Sequence, residues 1–346
     1  MKVLSYAGGL GLISLTVYIM VVGRDLIVPF LVSVVIWFLI NTLADYYHKI
    51  QIGSFKIPKS LCFIASLITT VVAFWMLIEM IGNNIADVKA AAPAYQENLL
   101  KLSGRVYDLL GIENQPSLTQ LINQIDLRPF ISNIAGTLAS LAGNAGLIMI
   151  YVLFIFLEQA SFDTKLKALL NGSEHTHTVE EIIKTIHKKI ETYVAIKTFV
   201  SILTGTACYI ILILNDVDYA GFWAFIIFLL NYIPTVGSML AVLFPAVLSL
   251  VQFPTFTPFL IIISSLATIQ VLMGNILEPK LMGNSLNLSP LVVMLSLALW
   301  GSIWGIAGMF LSVPFTVILM IIFSEFPKTK PIAILLSQNG KIGSDV

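Results

Sequence analysis

Charge is what this sequence has least of. Only 11% of its 346 residues are charged, and 58% are apolar. Soluble domains carry roughly 25% charged residues, so a shortfall of this size, spread over long apolar runs with a mean hydropathy of +0.93, excludes an ordinary soluble protein. Lysine plus arginine (19) balances aspartate plus glutamate (19), a net charge of zero, and nothing points to nucleic acid or another polyanion as partner. Cysteine is nearly absent. Cys62 and Cys208 both lie in apolar segments, which excludes a disulfide framework and makes them packing residues. Nucleotide and hydrolase signatures are missing too: there is no Walker A sequence, no H-E-x-x-H and no G-x-S-x-G. ATP-driven transport by this chain alone and the commonest hydrolase chemistries are therefore not expected, and neither is a cofactor. Of the four histidines, His175 and His177 form an H-x-H beside Glu174. Without further ligands that is a solvated loop rather than a metal site.

What is present is a series of membrane segments. A span needs roughly 20 apolar residues. Residues 4–22 and 26–43 read as a tight helical pair joined at Gly23, Arg24 and Asp25. The first run is too long for a signal-peptide core and reads as a retained helix; its Gly8, Gly9 and Gly11 are helix-packing residues. Residues 61–81 form the third span, so that 1–83 is a three-helix unit. Residues 84–143 turn amphipathic, with Leu99, Leu102, Val106 and Leu109 at helical spacing, and read as an extracytoplasmic helical layer. A fourth span occupies 144–160. Residues 161–197 are polar and basic, with an apolar stripe of Ile182, Ile183, Ile186, Ile190 and Val194, and read as a cytoplasmic amphipathic linker. A core over 198–325 and a tail over 326–346 complete the chain. If the spans alternate, thirteen lysines and arginines fall on one side and five on the other, with Lys280 unassigned. The positive-inside rule then places both termini in the cytoplasm.

The last third is irregular. Residues 220–251 and 290–323 would run to about 50 Å as straight helices, against a hydrocarbon core of about 30 Å. Each is interrupted near its middle, the first at 231–237 around Pro234 and Gly237, the second at 300–305 between Trp300 and Gly305. Two readings fit: a pair of re-entrant hairpins from opposite faces, or kinked spans. Paired interrupted segments point to a transporter's binding site. The expected fold is all-α and integral to the membrane, with about eight membrane segments and a small helical layer outside the bilayer.

The chain centres on residues 274–290, where Asn275, Glu278, Pro279, Lys280, Gly283, Asn284 and Asn287 crowd between two apolar blocks. Pro279 lacks an N–H, so the helix arriving from Phe259 should end or kink here. A carboxylate and an ammonium at such a break are costly in hydrocarbon unless they pair or reach water. Glu278 is the sole carboxylate between Asp218 and Glu325, so proton coupling confined to the last third has to use it. The alternative is a structural clamp, with Glu278 paired to Lys280 or to the basic 161–197 layer; a charged loop at the membrane surface is the third reading. Asn231, just before the Pro234 break, can bind substrate or ion, or cap the following helix. Gln270 and Asn275 either line one cavity or bond to neighbouring helices.

Several blocks standing in order resemble a known family. Tyr193-Val194-Ala195-Ile196-Lys197 is followed by Asn231-Tyr232-Ile233-Pro234-Thr235-Val236-Gly237, then Glu278-Pro279-Lys280-Leu281-Met282-Gly283, then Trp300-Gly301 with Gly308 and Val313-Pro314. This order is similar to that of the autoinducer-2 exporter family of bacterial membrane permeases, over essentially the whole chain. The resemblance implies a multi-pass inner-membrane transporter embedded in the lipid bilayer. It further implies a homo-oligomer, pentameric in family members, and a small-molecule or ion substrate. The expected function is export of a small polar molecule, the quorum-sensing signal autoinducer-2 among them, driven by an ion gradient. A sodium/proton antiporter, a passive oligomeric pore and a membrane scaffold for other proteins stand as alternatives. The substrate- or ion-binding residues expected are Asn231, Pro234, Gly237, Gln270, Asn275, Glu278, Pro279, Lys280 and Gly283.

Overall fold

A computed structural model describes residues 2–49, 51–52, 55–73, 75–76, 79, 98, 127–170, 176–283 and 286–341. Apart from Asn98, the amphipathic layer expected at 84–143 lies outside the described residues up to Leu127, as do His175 and Asn284. Among the described residues the chain is helical, apart from a two-residue hairpin, β1 (Gln51–Ile52) with β2 (Phe55–Lys56). Four helices are long and apolar enough to cross a membrane: Arg24–Lys49, Thr178–Leu214, Phe256–Met282 and Pro290–Glu325. Shorter apolar helices run over Lys59–Ala73 (α3), Gly143–Gln159 (α4), Ala220–Leu230 and Val236–Gln252. This is a multi-pass membrane protein.

The chain forms two compact units. The first comprises Met1–Leu67, Asn144–Ile196 and Met282–Val346. Its α1 (Lys2–Val22) and α2 (Arg24–Lys49) are joined by Gly23 alone rather than by a three-residue loop. Gly23 donates its N–H to the Ile19 carbonyl and accepts from Leu26 and Ile27, so both helix ends are satisfied at one residue. Phe38, Ile190, Val194, Val313, Val317, Met320 and Ile321 share one core cluster; Ile36, Ile40, Ile148 and Val152 form another. The helix α10 (Pro290–Glu325) reverses at Gly305, whose φ of 63° and ψ of −139° suit only glycine. Trp300 and Phe315 pack across the reversal with ring centroids 4.9 Å apart and planes tilted by 32°. The short α11 (Lys330–Leu336) is pinned to the start of this hairpin: Ser289 N–H donates to Leu336, and Gln338 N–H donates to Asn287.

The second unit comprises Ile68–Gly143 and Lys197–Leu281. Here α6 (Ala220–Leu230) and α7 (Val236–Gln252) make an antiparallel hairpin, as the 6.2 Å approach of the Trp223 and Phe244 rings requires. Cys208, Leu212, Ile227, Ala241, Ala246, Ile262 and Leu266 form its core, which confirms Cys208 as a packing residue. The hairpin's outer end is tied by Gln252, whose amide accepts from Asp218 N–H at 2.9 Å and donates to the Asp216 carbonyl at 2.7 Å.

The first arms decide between hairpins and kinked spans. The 11 residues of α6 rise about 16 Å and residues 290–304 about 22 Å, both short of the roughly 30 Å of hydrocarbon. The interruptions are turns between antiparallel arms. A Cβ on Gly237 would run into the Leu230 carbonyl, and one on Gly308 into the Trp300 carbonyl. Each tip is closed by backbone-to-backbone approach that only glycine permits.

Two boundaries differ from the sequence-based expectation. The polar stretch ending at Lys197 and the apolar run from Thr198 belong to one continuous helix, α5 (Thr176–Leu214). Pro279 does not end or kink the helix arriving from Phe259. The helix α8 (Phe256–Gln270) widens into a π-turn over Val271–Leu277 and continues as α9 (Glu278–Met282). In the π-turn Glu278 N–H reaches back five residues to the Met273 carbonyl. The wider ring opens the space that a proline would otherwise fill against the carbonyl four residues back.

Candidate functional site

The site is built on one buried stripe of α5. Lys197, Ser201, Thr204, Cys208 and Leu212 recur at spacings of four, three, four and four, and all are buried. The far end of this stripe is apolar and packs with Ile262 and Leu266 of α8. Its near end is polar. There Lys197 Nζ meets Glu278 Oε1 at 2.5 Å, with side-chain exposures of 5% and 18%. The two helices thus run antiparallel, held by apolar packing at one level and an ion pair at the other.

The hairpin tip docks on the same end of α5. Asn231 Nδ2 donates to Ser201 Oγ at 3.0 Å with both groups buried. Tyr232 OH and Thr198 Oγ1 share a hydrogen bond of 2.7 Å. Lys197, Thr198, Ser201, Asn231, Tyr232 and Glu278 therefore form one polar patch within the second unit. A buried ion pair of this kind is weak support for stability in itself, since desolvation offsets most of the attraction. Its presence in a membrane helix is instead a marker of function.

The structure sorts the residues expected from sequence. Asn231 and Glu278 come together on α5. Asn231 does not cap the following helix: the residue at that cap is Thr235, which makes no side-chain capping bond. Glu278 pairs with the last lysine of the basic segment, not with Lys280, which is exposed. Pro234 is half-buried in the tip and Gly237 buried beneath it. Gln270 and Asn275 part company. Gln270 is buried, with neither amide atom hydrogen-bonded, whereas Asn275 is exposed, so the two do not line one cavity. Pro279, exposed, has no N–H to give to the Gly274 carbonyl one wide turn back. Gly283 belongs to the first unit, where it is exposed with a φ of 49°. No cluster of three or more His, Cys, Asp or Glu suited to a metal occurs among the described residues.

Sequence reasoning missed Lys197, Thr198, Ser201 and Tyr232 as site residues. The signal was there: the stripe Ile186, Ile190, Val194 keeps its phase through Lys197, Ser201 and Thr204. Lysine at a stripe position, rather than beside it, marks a buried charge in want of a partner.

The comparisons with known proteins agree on one assignment. The sequence profile described as "AI-2E family transporter" matches residues 10–328. The chain is 30% identical over 326 residues to the AI-2 transport protein TqsA of Escherichia coli (strain K12), covering 92% of this chain and 91% of that one. It is 28% identical over 326 residues to a putative transport protein of Haemophilus influenzae, covering 91% of each. The putative transport protein YhhT of Escherichia coli (strain K12) is 25% identical over 319 residues, covering 91% of this chain and 88% of that one. With the match spanning nearly its whole length, the chain belongs to the AI-2E transporter family.

Proposed function

We propose that the protein is an inner-membrane permease that exports a small polar solute, with autoinducer-2 as its substrate, and that an ion gradient drives export through the Lys197–Glu278 pair. One observation carries the reading: a buried ion pair joins two helices beside a docked hairpin tip whose first arm is too short to cross the bilayer. Broken backbone at membrane depth is sustained only where it is buried in protein or lines a wet cavity. The tip is held on α5 by neutral hydrogen bonds worth about 0.5–1.5 kcal/mol each, a grip that thermal motion releases. Protonating Glu278 removes the attraction to Lys197 and loosens the same end of the unit. The name of the Escherichia coli relative supports autoinducer-2 as the solute.

Purified protein reconstituted into liposomes tests this. Autoinducer-2 flux that saturates with concentration and responds to an imposed pH or sodium gradient is expected. Non-saturating flux is the result of a passive pore. Sodium/proton exchange without autoinducer-2 flux is the result of an antiporter. Either outcome overturns the proposal.

The positive-inside count supports cytoplasmic termini, with eight membrane segments of which two are re-entrant. Cys62 and Cys208 are buried, so single cysteines report cleanly once both are changed to alanine. With hairpins from opposite faces, Lys280→Cys is labelled by a membrane-impermeant maleimide from the cytoplasm and Asp216→Cys from outside. Labelling of both from outside refutes that topology.

A further inference from the structure

We propose that Gln270 is the recognition group for a neutral, hydroxyl-bearing guest and selects against ions; this rests on reading the protein as a permease of small polar solutes. Gln270 is only 7% exposed, and neither its Nε2 nor its Oε1 has a hydrogen-bond partner. Other buried polar side chains of the same unit are engaged: Lys197 by Glu278, Asn231 by Ser201, and Thr204 by its own helix through the Val200 carbonyl. A buried amide with nothing to bond costs about 1–3 kcal/mol, and such a group in a native protein calls for a partner.

Its place in the unit fits a guest site. Gln270 continues the buried stripe Ile262, Leu266 by one more turn, and the π-turn opens at the next residue, Val271. Such widened turns concentrate at functional sites. Ile211 of α5 lies beside Ile269 and Thr268 in a shallow groove, and Lys197 meets Glu278 further on. Gln270 therefore stands between these two points of contact, one residue beyond the groove at Ile211 and on the way to the ion pair. The tip residues Asn231 and Tyr232 are held on α5 at Ser201 and Thr198. Lifting the tip from those two hydroxyls uncovers the polar end of the stripe and gives a guest its way in.

The chemistry of the unpaired amide names the guest. It presents a donor and an acceptor side by side. A hydroxyl satisfies both, and neighbouring hydroxyls or a hydroxy-ketone do so without rotating the amide. A carboxylate engages the NH₂ and sets its charge against Oε1. A metal cation engages Oε1 alone and faces the NH₂. With Ile262 and Leu266 extending the same face, the site suits a compact neutral molecule with polar and apolar sides.

The test is the melting temperature of the purified full-length protein in detergent with cis-1,2-cyclopentanediol, with sodium chloride against choline chloride, and with acetate. The diol is expected to raise the melting temperature of the wild type and of Thr257→Met, an exposed position on the same helix, and not that of Gln270→Met, which conserves volume. Where Gln270→Met does not fold, Gln270→Asn, which withdraws the amide by one methylene, is expected to lose the same shift. In liposomes Gln270→Met is expected to raise KM for the transported solute about ten-fold, the loss of one hydrogen bond. A sodium-dependent shift that Gln270→Met abolishes overturns the proposal in favour of a cation site. A diol shift equal in wild type and Gln270→Met, or none in either, overturns it in favour of packing or water only. The two readings fail separately. Diol binding through Gln270 without autoinducer-2 flux keeps this site and loses that substrate, whereas autoinducer-2 flux that Gln270→Met leaves unchanged loses this site alone.

Discussion

Glu278→Gln is expected to destabilise the protein by about 3–5 kcal/mol, because it leaves the Lys197 ammonium buried with no countercharge. Lys197→Met is expected to do the same from the other side. The double variant is expected to recover most of the loss, since a buried pair replaced by well-packed neutral groups is often neutral or better. Melting temperature in detergent, followed by size-exclusion chromatography, gives all three values, and their cycle isolates the coupling. Additive losses in the double variant would show that the two side chains do not depend on each other. Flux in liposomes then separates clamp from coupling. If the pair carries the driving ion, the recovered double variant still exchanges solute but no longer responds to a pH gradient. A double variant that keeps its gradient response reduces the pair to a clamp.

The class of the protein was plain from its composition, whereas length against bilayer thickness left hairpins and kinked spans both open. Runs of more than 30 residues with Pro234 or Gly305 near the middle had either to kink or to fold back. The contents of the site were only half legible. Glu278 stood out because it is alone, but its partner lies 81 residues away, beyond any local periodicity. Lys197 was assigned to a polar linker because a charge usually ends an apolar run, although the phase of the stripe placed it inside. Pro279 misled for a similar reason. A proline forbids the ordinary helical ring, yet it tolerates a wider one when packing on both sides holds the helix in place, as Leu266 and Glu278 do here. Local propensity is a weak prior wherever tertiary contacts of this strength compete with it.

The tips of the two hairpins carry the other large expected effect. Gly237→Val and Gly308→Val each place a branched side chain against a backbone carbonyl, that of Leu230 and that of Trp300. A carbonyl inside a helical arm cannot swing aside as a flexible side chain does, so the arms have to separate. Overpacking of this kind costs about 1–3 kcal/mol, occasionally more. At Gly237 the separation also draws Asn231 and Tyr232 away from Ser201 and Thr198, so autoinducer-2 flux is expected to fall with stability. At Gly308 it pulls Phe315 away from the stacked pair Trp300 and Trp304. Gly274→Ala is the matched control. A Cβ there meets nothing within 4 Å, and alanine in place of glycine in a helix is worth roughly 0.5–1 kcal/mol in its favour. The expected order of melting temperatures is Gly274→Ala at or above wild type, with both valine variants well below. Valine variants that melt with the wild type and retain full flux would mean that the arms are not in contact at their tips, and the hairpin geometry would fall with them.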